Sequence, residues 1–217
     1  MDKKILNLAI PNIIANITVP LLGMVDLAIV GRMTGGEQLI GAIAISTTIF
    51  NLIYWNFGFL RMGTSGFTAQ AYGANNMKES IAILTRGIVI AFSISILILL
   101  LQHPIAYLAR NFIDTSPEIM QSVLIYFFIR IWAAPATLGL YVMKGWFIGM
   151  QNSYIPMFIS IILNVINIFF SVLLAVHFKM GIAGVAWGTL IAQYSGFIIS
   201  ILFWIFKFSN LKTHINF

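Results

Sequence analysis

The feature that most constrains this chain is a succession of apolar runs joined by short polar connections. A membrane-spanning helix needs about 20 consecutive apolar residues, and runs of that length recur along the whole sequence. Only 8% of the 217 residues are charged, whereas a soluble domain averages about 25%. The sequence therefore predicts an all-α integral membrane protein and excludes a water-soluble fold.

The apolar runs divide the chain into six predicted spans. Glycine, asparagine and proline mark the connections, as in TGGEQ at 34–38 and GMQNSYIP at 149–156. The spans are predicted near 7–31, 39–63, 82–108, 121–146, 155–177 and 182–206. We therefore expect a single six-transmembrane-helix bundle over 1–208, followed by a short polar tail over 209–217.

The basic residues predict the orientation of this bundle, because short cytoplasmic loops carry an excess of Lys and Arg. One set of span ends and connections holds Lys3, Lys4, Arg61, Lys78, Arg86, Lys144, Lys207 and Lys212; the opposite set holds Arg32, Arg110 and Lys179. This bias places both termini in the cytoplasm, with the chain crossing the cytoplasmic membrane of a bacterial cell several times. Basic residues scattered singly in this way argue against nucleic acid as a partner and for the lipid bilayer.

Polar and small residues recur at helical spacing inside the spans. The stripes are Asn12, Asn16, Gly23 and Asp26; Thr47, Asn51, Tyr54, Gly58 and Ser65; Ser160, Asn164, Asn167 and Ser171; and Thr189, Gln193, Gly196 and Ser200. Such faces line a bundle interior or an aqueous cavity, and hydrogen bonds between helices are the alternative explanation for the neutral residues. The small-xxx-small pairs in GWFIG (145–149) and GVAWG (184–188) predict close helix packing.

Asp26 is the one acidic residue inside a predicted span. An ionised Asp at the centre of a membrane helix costs about 2.5–3.5 kcal/mol on insertion scales, and such residues mark ion pathways and binding sites. Arg32 is a poor partner, because six residues along a helix place it about 120° out of phase. We interpret Asp26 as a site for a proton or for a hard cation, with Na⁺ the one metal ion considered.

Pro11 and Pro20 lie on the same predicted helix as Asp26. Each removes a backbone hydrogen bond and therefore predicts a bend in that helix. The sequence holds no cysteine, no metal-ligand spacing, no phosphate-binding loop and no nucleophile motif. We therefore expect neither an enzyme nor a bound cofactor.

Aromatic and methionine side chains gather near the end of the second span. Thioethers adapt to varied ligands and aromatic faces attract cations, which suits flat amphiphiles. Contact with lipid is the alternative for the aromatic residues. The residues predicted to line a substrate cavity are Asn51, Tyr54, Trp55, Phe59 and Met62, together with Gln193 of the sixth span.

Five stretches in order resemble the multidrug and toxic compound extrusion (MATE) transporters, in particular their DNA-damage-inducible prokaryotic branch. The stretches are GMVDLAIVGRM, FTAQAYGANN, GWFIGMQNSYIP, NVINIFFSVLL and GIAGVAWGTLIAQYSG. The resemblance covers nearly the whole chain and matches the N-terminal half of the family. It implies a twelve-helix transporter of two six-helix bundles, related by a pseudo-two-fold axis along the membrane normal. It also implies export of organic cations or other amphiphiles in exchange for H⁺ or Na⁺.

The same resemblance implies roles for individual residues. The cation-site acid, Asn, Thr and Tyr of the family match Asp26, Asn167, Thr189 and Tyr126, and the first-helix proline whose bending accompanies protonation matches Pro11. The family pattern places a second acid four residues after the Asn, where this chain has Ser171. With Ser171 as a neutral oxygen ligand, we expect Asp26 to bind one proton or one Na⁺ by itself.

The sequence ends at Phe217, about half the length of the family, although alternating access is largely one bundle rocking against another. We therefore expect a fragment, a truncated reading frame or a split gene product, acting with a missing C-terminal half or a second copy. A non-transporting bundle that packs against or regulates a partner is one alternative. A half of a lipid-linked oligosaccharide flippase is another, but its cavity would carry several basic residues. Arg130 alone lies in mid-span here, which favours a cationic or neutral substrate.

Overall fold

A computed structural model of the chain describes residues 10–11, 13, 23–33 and 35–208, and their regular structure is entirely helical. The helices are α1 (described over 23–31), α2 (Gly36–Trp55), α3 (Gly58–Gly73), α4 (Met77–Leu100), α5 (Gln102–Phe112), α6 (Pro117–Arg130), α7 (Ala134–Gly149), α8 (Tyr154–Val172) and α9 (Ile182–Lys207). A 3₁₀ turn, Ile131–Ala133, joins α6 to α7, and a π-helical turn, Leu173–His177, extends α8. The predicted all-α fold is confirmed.

Five stretches of the described chain are long and apolar enough to cross a membrane. They are Gly36–Gly73, Met77–Leu100, Pro117–Gly149, Tyr154–His177 and Ile182–Lys207. They correspond to the second to sixth predicted spans. The stretch Gly36–Gly73, which corresponds to the second predicted span, continues past the predicted end at 63. The first predicted span, 7–31, lies partly outside the described residues, and the tail over 209–217 lies wholly outside them.

Local sequence explains where two of the helices begin. The Asn76 side chain caps α4 by accepting a hydrogen bond from the backbone N–H of Glu79 at 3.1 Å. Ser116 caps α6 in the same way, and Pro117 then occupies the first turn, where a missing N–H costs nothing. Both caps thus begin an apolar helix directly after a short polar connection.

Helix α7 is the centre of the bundle and packs against α3, α4 and α9. Its side chains Leu138, Trp146 and Phe147 are fully buried. The Trp146 indole N–H donates to the backbone carbonyl of Ser80 at 2.9 Å, which satisfies its one polar group inside an apolar core. Helix α9 in turn packs against α6 and α8. These contacts place α6 to α9 around the candidate site.

Glycines set the closest helix contacts. A Cβ atom at Gly145 of α7 would lie 2.5 Å from the backbone carbonyl oxygen of Arg61 on α3. A Cβ atom at Gly188 of α9 would lie 2.6 Å from the backbone nitrogen of Ser171 on α8. Both distances are far below van der Waals contact, so only glycine permits this spacing. The packing role predicted for GWFIG and GVAWG is therefore confirmed.

Candidate functional site

Asp26 points into the bundle from α1. It is 5% exposed, and Ile29 and Val30, three and four residues along the helix, are buried on the same side. Gly23 and Met24 are exposed. The Asp26 Oδ1 atom has no hydrogen-bond partner among the described residues. A buried carboxylate oxygen without a donor is a costly arrangement, and it leaves that oxygen free to bind a proton or a cation.

Helices α8 and α9 place three further polar residues together. The Asn167 side-chain amide donates to Thr189 Oγ1 at 3.0 Å, and the Thr189 hydroxyl donates to the Val185 carbonyl at 3.1 Å. Ser171, one turn after Asn167, is fully buried against Gly188. Neither Asn167 Oδ1 nor Ser171 Oγ has a hydrogen-bond partner within the part of the chain that the structure describes.

Tyr126 of α6 connects Asp26 with the α8–α9 pair. Its side chain is 1% exposed and lies close to Thr189 and within electrostatic reach of Asp26. Its hydroxyl accepts a hydrogen bond from Arg130 Nη1 at 3.0 Å. We call Asp26, Tyr126, Asn167, Ser171 and Thr189 the carboxylate cluster. The five residues assigned to cation binding from the sequence lie on four helices. Tyr126 links Asp26 to Thr189, Thr189 contacts Asn167, and Ser171 follows Asn167 by one turn of α8.

The chemistry of the carboxylate cluster suits a small hard cation. Its ligand atoms are all oxygens, with one negative charge, and oxygen ligands are what Na⁺ and other hard cations prefer. Three of these oxygens, on Asp26, Asn167 and Ser171, are buried and unpartnered among the described residues. A bound proton or Na⁺ would compensate the buried charge. The residues present therefore fit the coupling ion that the resemblance implies.

A second feature is a cavity of about 530 Å³ between α2, α3, α6, α7, α8 and α9. Three of the residues predicted to line a substrate cavity, Asn51, Tyr54 and Gln193, lie on its wall. Three basic residues also line it: Arg61, Arg130 and Lys144. We call this space the basic cavity.

The structure places the other predicted residues elsewhere. Trp55 is 84% exposed and Met62 is 77% exposed, and neither lines the basic cavity. Phe59 lines a separate apolar groove between α3 and α4. Pro11 is helical and buried, and Pro20 lies outside the described residues.

Arg61 and Lys144 lie near the ends of the predicted spans and were not predicted to line the cavity. A signal was nevertheless present in the spacing. Arg61 continues the stripe of Tyr54 and Gly58, and Lys144 follows Tyr141 by three residues on one face of α7. The helices continue further than the predicted spans, so both side chains lie on cavity walls.

Comparisons with known proteins agree with this architecture. The family model MatE matches residues 11–173. DNA damage-inducible protein F of Escherichia coli is 36% identical over 93% of this chain and 44% of its own length. The multidrug resistance protein MdtK of Cronobacter sakazakii is 26% identical over 97% of this chain and 46% of its own. The chain thus spans about half the length of the curated relatives it matches.

Solved structures show the same fold. A crystal structure of a MATE protein in the bent conformation superposes with a TM-score of 0.85 at 19% identity, covering 94% of this chain and 45% of that one. A transporter of the MOP superfamily from Pyrococcus furiosus, whose binding pocket of reversed polarity was taken to suggest a different function, also gives 0.85 at 19% identity, over 94% of this chain and 44% of its own. Because the family model covers most of the sequence, the chain belongs to the MatE family of multidrug and toxic compound extrusion transporters.

Proposed function

We propose that this chain forms one half of an ion-coupled efflux transporter, which exports amphiphilic solutes across the cytoplasmic membrane in exchange for H⁺ or Na⁺. Membership of the MatE family and relatives named as multidrug resistance proteins support efflux. The observation that carries the coupling is the buried Asp26, which has a carboxylate oxygen without a partner among the described residues and lies within electrostatic reach of Tyr126 in the carboxylate cluster. Organic cations are the substrates that the resemblance implies.

Transport requires a second six-helix half, since alternating access is largely the movement of one bundle against another. That half is supplied by a C-terminal partner bundle or by a second copy in a C2 arrangement. Expression in an efflux-deficient bacterium tests this requirement. We expect the 217-residue chain in monomeric form to leave a fluorescent dye inside the cell. Dye extrusion by a form shown to be monomeric contradicts the requirement.

Ion binding is tested on the purified chain by thermal unfolding. A ligand that binds only the folded state stabilises it by about 2.7 kcal/mol at 100 times its dissociation constant. We expect Na⁺ or a lowered pH to raise the unfolding temperature of the wild type. The Asp26→Asn variant should lose this response while still inserting into the membrane, because the amide is neutral and nearly isosteric.

The matched control is Asp114→Asn, which removes the same charge from an exposed connection. It should keep the full response to Na⁺ or pH. An unchanged response in Asp26→Asn would show that the ion binds elsewhere and would remove the basis of the proposed coupling.

The basic cavity keeps one alternative open. The sequence argued against a lipid-linked oligosaccharide flippase because Arg130 alone lay in mid-span, but the structure brings Arg61 and Lys144 to the same cavity. The number of basic residues in the cavity therefore does not separate the two functions. Loss of a labelled lipid-linked sugar from one leaflet of a proteoliposome, with no dye export, would favour the flippase.

A further inference from the structure

The three basic residues of the cavity come from three different helices. Arg61 is on α3, Arg130 on α6 and Lys144 on α7, and all three line the same space of about 530 Å³. The lining residues include no Asp and no Glu. Charged side chains inside a membrane protein are costly and mark functional sites, so a cluster of one sign within the bundle requires an explanation.

Nothing within the described chain neutralises this cluster fully. The ion pair between Arg86 and Glu79 is the one salt bridge among the described residues, and it lies outside the cavity. Asp26 is within electrostatic reach of Arg130 and so offsets at most one of the three charges. Arg61 is also within electrostatic reach of Lys144, and these two like charges repel.

Two of the three cations are held in place by neutral groups. Arg130 Nη1 donates to the Tyr126 hydroxyl, and its guanidinium carbon lies 4.7 Å from the centre of the Phe50 ring. Lys144 Nζ donates to Ser160 Oγ at 2.9 Å. A guanidinium has five N–H donors and an ammonium has three. Both groups are thus oriented but keep donors for a ligand.

The remaining wall of the cavity is largely aromatic and apolar. Tyr54, Tyr141, Leu140 and Leu163 line it beside neutral polar side chains. Tyr141 lies within electrostatic reach of both Arg61 and Arg130, so an aromatic surface adjoins the charges. The volume is within the range of about 300–1,000 Å³ typical of sites for small organic ligands.

We propose that the basic cavity selects an amphiphilic organic anion, with a carboxylate, sulfonate or phosphate group on a ring-bearing apolar body. The acidic group binds between Arg61, Arg130 and Lys144, and the apolar body packs on the Tyr54 and Tyr141 side of the cavity. Arginine and lysine bind such groups through charge-assisted hydrogen bonds. This substrate class reverses the preference for cations that the sequence indicated. It rests on the proposed transport function, since it names the solute carried.

Two xanthene dyes with closely related ring systems test this selectivity: fluorescein, which is an anion, and rhodamine 123, which is a cation. The full chain is placed in nanodiscs of neutral phosphatidylcholine, and binding of each dye is followed by fluorescence anisotropy against empty nanodiscs. We expect fluorescein to bind more than tenfold more tightly than rhodamine 123, and added salt to weaken the binding of fluorescein.

Charge removal at the cavity supplies the second arm of the experiment. Arg61→Gln and Lys144→Gln should each weaken fluorescein binding by about tenfold, which is the loss expected for one charge-assisted hydrogen bond. Arg61→Lys keeps the charge and should retain most of the affinity, which shows that the site is still folded. The matched controls Arg110→Gln and Lys207→Gln remove exposed charges of the same kind and should change nothing.

The source of the anion is distinguished by repeating the titration in nanodiscs that contain phosphatidylglycerol. Competition by this lipid indicates that the acidic group belongs to a membrane lipid, and undiminished fluorescein binding indicates a free solute. Either result supports an anion-binding site in the basic cavity.

The outcomes separate this inference from the proposed function. Rhodamine 123 binding as tightly as fluorescein, or fluorescein affinity unchanged in Arg61→Gln and Lys144→Gln, overturns anion selectivity and leaves export itself intact. Failure of both dyes to bind the folded chain overturns the substrate cavity as well.

Discussion

The carboxylate cluster and the basic cavity lie in one bundle and share α6, α8 and α9, yet they carry opposite charge. The cluster has one acid among neutral oxygens, and the cavity has three cations and no acid on its wall. Tyr126 belongs to the first and Arg130 to the second, one helical turn apart and joined by a 3.0 Å hydrogen bond. The carboxylate cluster therefore suits a positively charged ligand, and the basic cavity suits a negatively charged one.

Arg130 is the residue through which the two regions affect each other. It lines the basic cavity and is within electrostatic reach of Asp26. Neutralising Asp26 with a proton or Na⁺ therefore makes the electrostatic potential in the cavity more positive. Electrostatics alone then favours binding of the ion together with an anion, so the proposed exchange of the two requires a conformational change that opposes this preference.

The largest expected effects come from two glycines, one beside each region. Gly188→Ala forces a methyl group against the backbone of Ser171, and Gly145→Ala forces one against the backbone of Arg61. Overpacking of this kind costs about 1–3 kcal/mol. We expect Gly188→Ala to weaken the response to Na⁺ or pH and to leave fluorescein binding unchanged. We expect Gly145→Ala to weaken fluorescein binding and to leave the response to Na⁺ or pH unchanged.

The control for both is Gly66→Ala on α3, where an added Cβ would meet no atom within 4 Å. It should not lower the unfolding temperature, since alanine favours a helix interior over glycine, and it should leave the ion response and dye binding as they are in the wild type. If either glycine variant weakened the ion response and fluorescein binding equally, the two regions would be one site.

A second acid in the carboxylate cluster should produce the next largest effect. Ser171→Asp places a second carboxylate one turn from Asn167, and two acids that interact strongly titrate in two separate steps. We expect two steps in the variant and one step in the wild type, measured by NMR of selectively ¹³C-labelled aspartate carboxyls. Ser171→Asn, which adds a neutral side chain of similar size, should keep the single step. A single step in Ser171→Asp would show that a carboxylate at position 171 is too far from Asp26 to interact with it.

A smaller effect is expected at the cavity when the cluster is neutralised. Asp26→Asn removes the negative charge within reach of Arg130, so fluorescein affinity should rise a few-fold in the nanodisc assay. The exposed variant Asp114→Asn should show no rise. A fall in affinity for Asp26→Asn would mean that α1 shapes the cavity directly and that the two regions do not communicate by charge alone.

The smallest effect is expected from the aromatic and methionine residues outside the cavity wall. Phe59 and Met62 are 56% and 77% exposed and do not line the basic cavity. The double variant Phe59→Ala, Met62→Ala should therefore leave the affinity for either dye unchanged, whereas Tyr141→Ala on the wall should weaken fluorescein binding. A loss of dye binding in the double variant would show that Phe59 and Met62 contribute to the substrate site, as the sequence predicted.

Much of the fold could be predicted because membrane helices leave strong local signals. Long apolar runs marked the helices, and the glycine pairs of GWFIG and GVAWG marked the close contacts of α7 and α9. The ends of the helices were less predictable. Polar residues such as Gln70 near the end of α3 lower the local hydropathy without ending the helix, so α3 continues to Gly73, beyond the end of the predicted span.

The two regions differed in how much the sequence disclosed. Asp26 was conspicuous as a lone acid in an apolar run, and the spacing of Asn167 and Ser171 placed them on one helix face. The basic cavity was harder to recognise, because Arg61 and Lys144 lie near helix ends, where a basic residue usually marks orientation. Only the packing of α3 against α7 brings their side chains together.

Titration of Asp26 itself tests its role as the cation site. The sequence contains three aspartates, Asp2, Asp26 and Asp114, so a chain labelled with ¹³C at the aspartate carboxyls gives few signals. We expect one signal that titrates in a single step, responds to Na⁺ and disappears in Asp26→Asn. A signal of Asp26 that titrates as the aspartate of a short unstructured peptide does, and does not move on addition of Na⁺, would contradict a cation site at Asp26.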